Sequence, residues 1–157
     1  MLLKTLPVMI LFFMLGFITA QISSSGAFFA QAQAQEQASP SDWIKDNQIH
    51  VYKNNILIDV NDAEWAEFED TNSMDPVLDK GANALQFKPS NPDQINVGDI
   101  ISYHKKSTDE RIIHRVIFKG LDEKGIYFIL KGDNNPVSDP GKIRFENIDR
   151  VLFAIIY

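Results

Sequence analysis

The sequence predicts a mainly β protein: a small coiled antiparallel or mixed β domain preceded by one N-terminal membrane helix. Three observations lead there. From residue 49 onward, short runs of branched and aromatic residues alternate with segments rich in Gly, Pro, Asn and Asp, the pattern of strands and turns. The one amphipathic helix candidate in this region, residues 62–68, is short, and its Trp65 and Phe68 would face a core equally well from a strand. Ahead of all this, residues 5–20 read TLPVMILFFMLGFITA, and no charge appears between Lys4 and Glu36.

The elements follow in order. The apolar run of 16 residues is short for a span. The uncharged QISSSGAFFA behind it extends the helix towards the roughly 20 residues a bilayer needs. Lys4 favours a cytoplasmic N-terminus, which places the polar domain on the extracytoplasmic side of the cell membrane. A cleaved export signal is the rival reading, with Leu6 to Ile18 as its apolar region and Ala30, Ala32 and Ala34 as small residues near a cut. A helix buried in a soluble core fits poorly, because a polar tract follows. Residues 1–30 are therefore read as an anchor or uncleaved signal-like segment, residues 31–45 as an Ala/Gln-rich stalk, and residues 46–157 as the β-rich domain. Within that domain HVY and ILIDV flank Asn54 and Asn55 as a hairpin. Further strand candidates are ALQF (84–87), DIISY (99–103), RIIHRVIF (111–118), GIYFIL (125–130) and RVLFAIIY (150–157), each four to eight residues long. KPSNPDQINVG, HKKSTDE, KGLDEKG and KGDNNPVSDPG connect them as turns. Closure of such a domain on itself would protect its edges.

Composition narrows the chemistry. The formal charge is −6, and Glu36 and Lys4 cancel, so the polar domain carries all of it. Nucleic acid is a poor partner for that charge, the one basic pair, Lys105 and Lys106, being followed by Asp109 and Glu110. The absence of cysteine removes thiolate nucleophiles and disulfides. His50, His104 and His114 lack zinc-ligand spacing, and no motif calls for a cofactor or a metal.

A hydroxyl becomes a nucleophile when one neighbour takes its proton and a third group orients that base. Ser73 in TNSMDP, His114 in IIHRV and Asp139 in NNPVSDPG form one economical set. Each also has a plainer role. Ser73 could open a turn that Asp75 and Pro76 complete, and Asp139 could be a turn former before Pro140. His114 shares a period-two face with Ile112 and Val116 and could be a core histidine, with Arg115 pointing the other way towards an acidic residue. Asp133 could cap the backbone of Asn134 and Asn135. Lys131 could be a solvated strand end, or the base of a Ser-Lys pair.

Three blocks bear on this choice. Ser73-Met74-Asp75-Pro76, then Gly98-Asp99-Ile100-Ile101-Ser102-Tyr103 with Ile113-His114-Arg115-Val116, then Lys131-Gly132-Asp133-Asn134-Asn135 with Asp139 beyond, occur in this order across residues 71–141. The domain resembles the signal peptidase I family, in its archaeal and eukaryotic endoplasmic-reticulum branch. That resemblance implies a signal peptidase type of β domain with Ser73 as nucleophile, His114 as base and Asp139 completing the triad. Asp133, Lys131 and Arg115 are then supporting residues. The backbone N–H of Ser73 and the hydroxyl of Thr71 are oxyanion candidates, and Met74 and Pro76 are candidates for the substrate cleft, a core role being equally open to Met74. The chain departs from the family pattern in having Gly81-Ala82 where Gly-Asp is usual, and an acidic AEFEDT before Ser73. A second membrane span or a large cap domain is not expected.

The implied activity is removal of N-terminal signal peptides from exported preproteins at small-x-small sites, through an acyl-enzyme. Partners would be preproteins and the lipid bilayer, with accessory subunits compatible. The alternative is a catalytically silent extracytoplasmic β domain that binds signal sequences or scaffolds a membrane complex. Repressor-type peptidases, which use a Ser-Lys pair, are disfavoured by the membrane segment and the lack of a DNA-binding module.

Overall fold

The computed structural model describes residues 36–105 and 110–157. The expected membrane helix at residues 1–30, the start of the stalk and part of the HKKSTDE turn lie outside the described residues. Among the described residues no helix is long and apolar enough to cross a membrane.

Strand formation follows the branched and aromatic runs. Strands β1 (Ile49–Val51) and β2 (Ile56–Ile58) make the expected hairpin, paired Val51 to Ile56 across the Asn54-Asn55 turn. The remaining strands are β3 (Glu64–Glu67), β4 (Asn83–Phe87), β5 (Ile100–His104), β6 (Arg111–Asp122), β7 (Gly125–Lys131) and β8 (Ile148–Ile156). They form one antiparallel sheet in the order β3-β4-β8-β5-β6-β7. Residues 62–68, open between helix and strand in the sequence, yield β3, because pairing with β4 satisfies its backbone and sets Trp65 opposite Leu85. Strand β6 outruns its apolar core through Lys119 to Asp122 and pairs with β7 to Gly125, whose φ of +96° suits the turn. Beside that turn, hydrogen bonds from Lys142 and then Arg144 hold the Asp122 carboxyl well below the usual carboxylate range.

Period-two alternation gives the sheet two apolar faces, since successive side chains in a strand point to opposite sides. Ile101 and Val151 belong to one cluster with Tyr103, Val116, Phe128 and Leu130. Their neighbours Ile100 and Leu152 belong to the other, with Met74, Leu78 and Ala84. Burial of each large side chain contributes about 1.5–3 kcal/mol. Ile95, in a segment read as turn, is fully buried and joins the first cluster. Its position follows the short 3-10 turn Pro92–Gln94, capped by the Asn91 side chain accepting from the Asp93 N–H at 3.1 Å.

The described end of the expected stalk at residues 31–45 is fastened to the domain rather than free. Asp99 is fully buried. Its carboxylate accepts from the Ser41 N–H (2.6 Å), the Ser41 hydroxyl (3.2 Å), the Trp43 indole N–H (3.0 Å) and the Asn96 N–H (2.8 Å). A buried carboxylate needs such donors, and residues 41–43 supply most of them. Gly98, with φ of +102°, lets the chain cross closely, because a Cβ there would collide with the Ser39 carbonyl.

Candidate active site

Ser73 sits in the turn between β3 and β4. The preceding Asn72 takes a positive φ of 56°, a conformation asparagine tolerates. The turn is held from the other side by residues 132–135, which follow β7. The Asn134 N–H donates to the Ser73 carbonyl at 3.0 Å, and the Asn134 side-chain amide donates to the Asn72 carbonyl at 3.0 Å. The Asp133 N–H reaches the Met74 sulfur at 3.4 Å. Gly132 makes the approach feasible, since a Cβ there would lie 2.5 Å from the Ser73 carbonyl oxygen. Two sequence blocks, Ser-Met-Asp-Pro and Lys-Gly-Asp-Asn-Asn, are thus one structural unit.

His114, in β6, is 7% exposed. Its Nδ1 stands 2.7 Å from Asp139 Oδ2. An ionised carboxylate only accepts, so Nδ1 carries the proton and Nε2 is left with a lone pair for a substrate or nucleophile proton. Asp139 is fixed by its own N–H, which donates to the Leu130 carbonyl at 2.8 Å, and by the Tyr103 hydroxyl, which donates to the same Oδ2 at 2.9 Å. Burial, and next the Asp139 hydrogen bond, raise the Tyr103 phenol far above its ordinary value, so it is a donor throughout the working range.

The sequence-predicted residues divide clearly. His114 and Asp139 come together. Ser73 Oγ shares a hydrogen bond with Thr71 Oγ1 at 3.1 Å and not with His114. Among the described residues the Ser73 N–H donates to no backbone carbonyl. Residues 131–139 link the two groups, touching the Ser73 peptide through Asn134 and His114 through Asp139. Met74, a cleft candidate, is instead buried in the second apolar cluster at 4% exposure, since its side chain fills the space over β4 and β5. Pro76 is exposed and lines a shallow depression with Asp75, Asp79, Asn134 and Tyr157. Lys131 donates to the Asn135 carbonyl at 2.6 Å and so closes the turn that carries Asn134.

Arg115, opposite in face to His114, forms a two-pronged pair with Asp133 at 2.8 and 2.6 Å and donates to the Gly98 carbonyl at 2.9 Å. Both side chains are nearly buried, at 8% and 4% exposure. Removing one partner of such a pair leaves the other charge uncompensated, at a cost of about 3–5 kcal/mol. Asp133→Ala is accordingly expected to lower the melting temperature by about 10–20 °C, measured by thermal unfolding. An unchanged transition would mean that the pair does not support the fold.

Sequence reasoning missed Tyr103 as a site residue, reading it only as the end of a strand. The available signal was positional: two residues past Ile101 in β5, it shares the face that β6 gives to His114.

The site is thus a mainly β domain in which one loop links an acid–histidine pair to a turn-borne serine. Comparison with known proteins makes this more specific. The chain is 36% identical over 70 residues to the signal peptidase complex catalytic subunit SEC11 of Chaetomium globosum, covering 43% of this chain and 39% of that protein. It is 37% identical over 70 residues to human signal peptidase complex catalytic subunit SEC11C, covering 44% and 36% respectively. An uncharacterized protein of Methanocaldococcus jannaschii is 40% identical over 50 residues, covering 32% and 25%. The chain thus spans 25–39% of the length of these relatives. No family model matches it, and no solved structure matches it. The chain is related to the signal peptidase I family.

Proposed function

We propose that this protein is a membrane-bound serine endopeptidase that removes signal peptides from exported preproteins. The observation that carries the reading is the buried His114–Asp139 pair, in a chain similar to signal peptidase catalytic subunits. An anchor at residues 1–30 would hold residues 46–157 on the extracytoplasmic face, where preproteins emerge. An extended substrate segment adds to a free strand edge, where main-chain pairing gives affinity and small pockets read alternate side chains. Strand β3, at the edge of the sheet, leads directly to Ser73.

Rotation of the Ser73 hydroxyl from Thr71 towards His114 Nε2 prepares the attack. His114 takes the proton as Ser73 Oγ bonds to the scissile carbonyl carbon, and Asp139 stabilises the imidazolium. The oxyanion receives the Ser73 N–H, with the Thr71 hydroxyl, released from Ser73, as a second donor. His114 then protonates the leaving amine. Water, activated by the same imidazole, releases the signal peptide from the acyl-enzyme.

The bond between Ser73 and Thr71 favours one second reading, a silent domain that binds signal sequences without cutting them. The experiment that decides is incubation of the detergent-solubilised full chain with a preprotein bearing an Ala-x-Ala site. Wild type is expected to cut at that site, His114→Ala to lose activity, and Lys131→Ala to keep a substantial part of it. An active His114→Ala beside a dead Lys131→Ala would transfer the base role to the lysine. Binding without cleavage would establish the silent domain.

A further inference from the structure

We propose that Tyr103 is a positioning residue of the acid–histidine pair, its hydroxyl fixing the Asp139 carboxylate and moderating the basicity of His114. This rests on the Ser-His-Asp reading above. Asp139 Oδ2 accepts two hydrogen bonds, from His114 Nδ1 at 2.7 Å and from the Tyr103 hydroxyl at 2.9 Å. The donors come from adjacent strands. In the register of β5 and β6, Ile101 lies opposite His114 and Tyr103 opposite Ile112, so Tyr103 and His114 project to one face. Asp139 reaches them from the loop after β7, tied at its backbone to Leu130. The carboxylate is therefore held by β5 and β6 through its side chain and by β7 through its main chain.

Packing alone does not call for a tyrosine. The ring belongs to an apolar cluster, and Tyr103 is 2% exposed, so phenylalanine would fill the same volume without a hydroxyl that needs a partner. The hydroxyl is useful because of where it points. A neutral donor on Oδ2 spreads the carboxylate charge, and a carboxylate so satisfied stabilises an imidazolium less than a bare one does. The hydroxyl thereby holds Oδ2 in place against His114 Nδ1 and competes with it for the same carboxylate oxygen.

Other charged groups around the pair leave this intact. Glu110 adds to the raised phenol value, keeping the donor protonated. Lys105 and Lys142 line a depression with Tyr103 beside Pro140 and Gly141, and Lys142 is engaged by Asp122 at 2.7 Å. His104, next along β5, approaches Asp149 in β8 at 3.1 Å. Arg115 lies on the opposite face of β6, and Lys131 at the end of β7 is committed to Asn135.

The test compares full-length wild type and Tyr103→Phe in detergent micelles, following the His114 imidazole by NMR across pH. The resonance is assigned by its loss in His114→Ala. In Tyr103→Phe the midpoint is expected to rise by about 0.5–1 pH unit. The acid limb of kcat/KM should move up by the same amount, and kcat on the plateau should fall about 3–10-fold. A variant that only loses thermal stability, with the His114 midpoint in place, would overturn the proposal and leave Tyr103 a packing residue. A raised midpoint in a chain whose Ser73→Ala variant still cleaves would sustain the Tyr103–Asp139–His114 link while refuting the nucleophile assignment. The NMR readout separates the two failures because it does not depend on turnover.

Discussion

Ser73→Ala is expected to reduce cleavage of an Ala-x-Ala preprotein by about 10⁴-fold or more, with little change in melting temperature. The two halves of that expectation come from different atoms. The hydroxyl is the atom that would bond to the scissile carbonyl, so its loss leaves the acyl-enzyme route without a nucleophile. What holds Ser73 in the fold is its backbone: the carbonyl accepts from Asn134, and the Gly132 turn packs against it. Alanine keeps both. The one hydrogen bond lost is to the exposed hydroxyl of Thr71, which water can replace. Cleavage at fixed substrate concentration and thermal unfolding of the same preparation measure the two halves together. A variant that cuts as well as wild type would end the serine reading, whereas a variant that unfolds would show Ser73 to be a structural turn residue.

Much of this arrangement was legible in the sequence, and the rest was hidden for identifiable reasons. The hairpin at Asn54-Asn55 and the strands around Ile101, His114 and Leu130 announce themselves through branched residues between turn formers. Opposite facing of His114 and Arg115 follows from period two alone, and the acidic partner expected for Arg115 is Asp133. Residues 62–68 were ambiguous because a short segment holds too few periods to separate 3.6 from 2; pairing with β4 decides it. Ile95 was obscured by the Asn, Pro and Asp around it, since a turn can still deliver one side chain to a core. The fastening of Ser41 and Trp43 to Asp99 joins residues more than 50 positions apart, and no local pattern encodes that. Met74 was open between cleft and core, because an apolar side chain suits either; its burial with Leu78 and Ala84 gives it the core role.

The two aspartates of the last block should fail in different ways, and the contrast is the sharpest test of the site. Asp139→Asn keeps the volume but replaces an acceptor-only group by an amide. Tyr103 and His114 both meet Oδ2, so an amide that brings its N–H₂ to that position donates to His114 Nδ1 and turns the Tyr103 hydroxyl from donor to acceptor. That favours the tautomer with the proton on Nε2, where it cannot accept one from Ser73, and removes the charge that stabilises the imidazolium. The expected loss is about 10⁴-fold in kcat near neutral pH, with the chain still folded. Asp133 has no such connection: its oxygens go to Arg115, on the other face of β6. Asp133→Asn should therefore lower thermal stability and retain much of the turnover of whatever fraction remains folded. Measuring kcat and the unfolding midpoint for both variants separates the roles. If Asp133→Asn is folded and inactive while Asp139→Asn turns over normally, the carboxylate that serves His114 has been misassigned, and the geometry of the pair at 2.7 Å would reflect packing rather than catalysis.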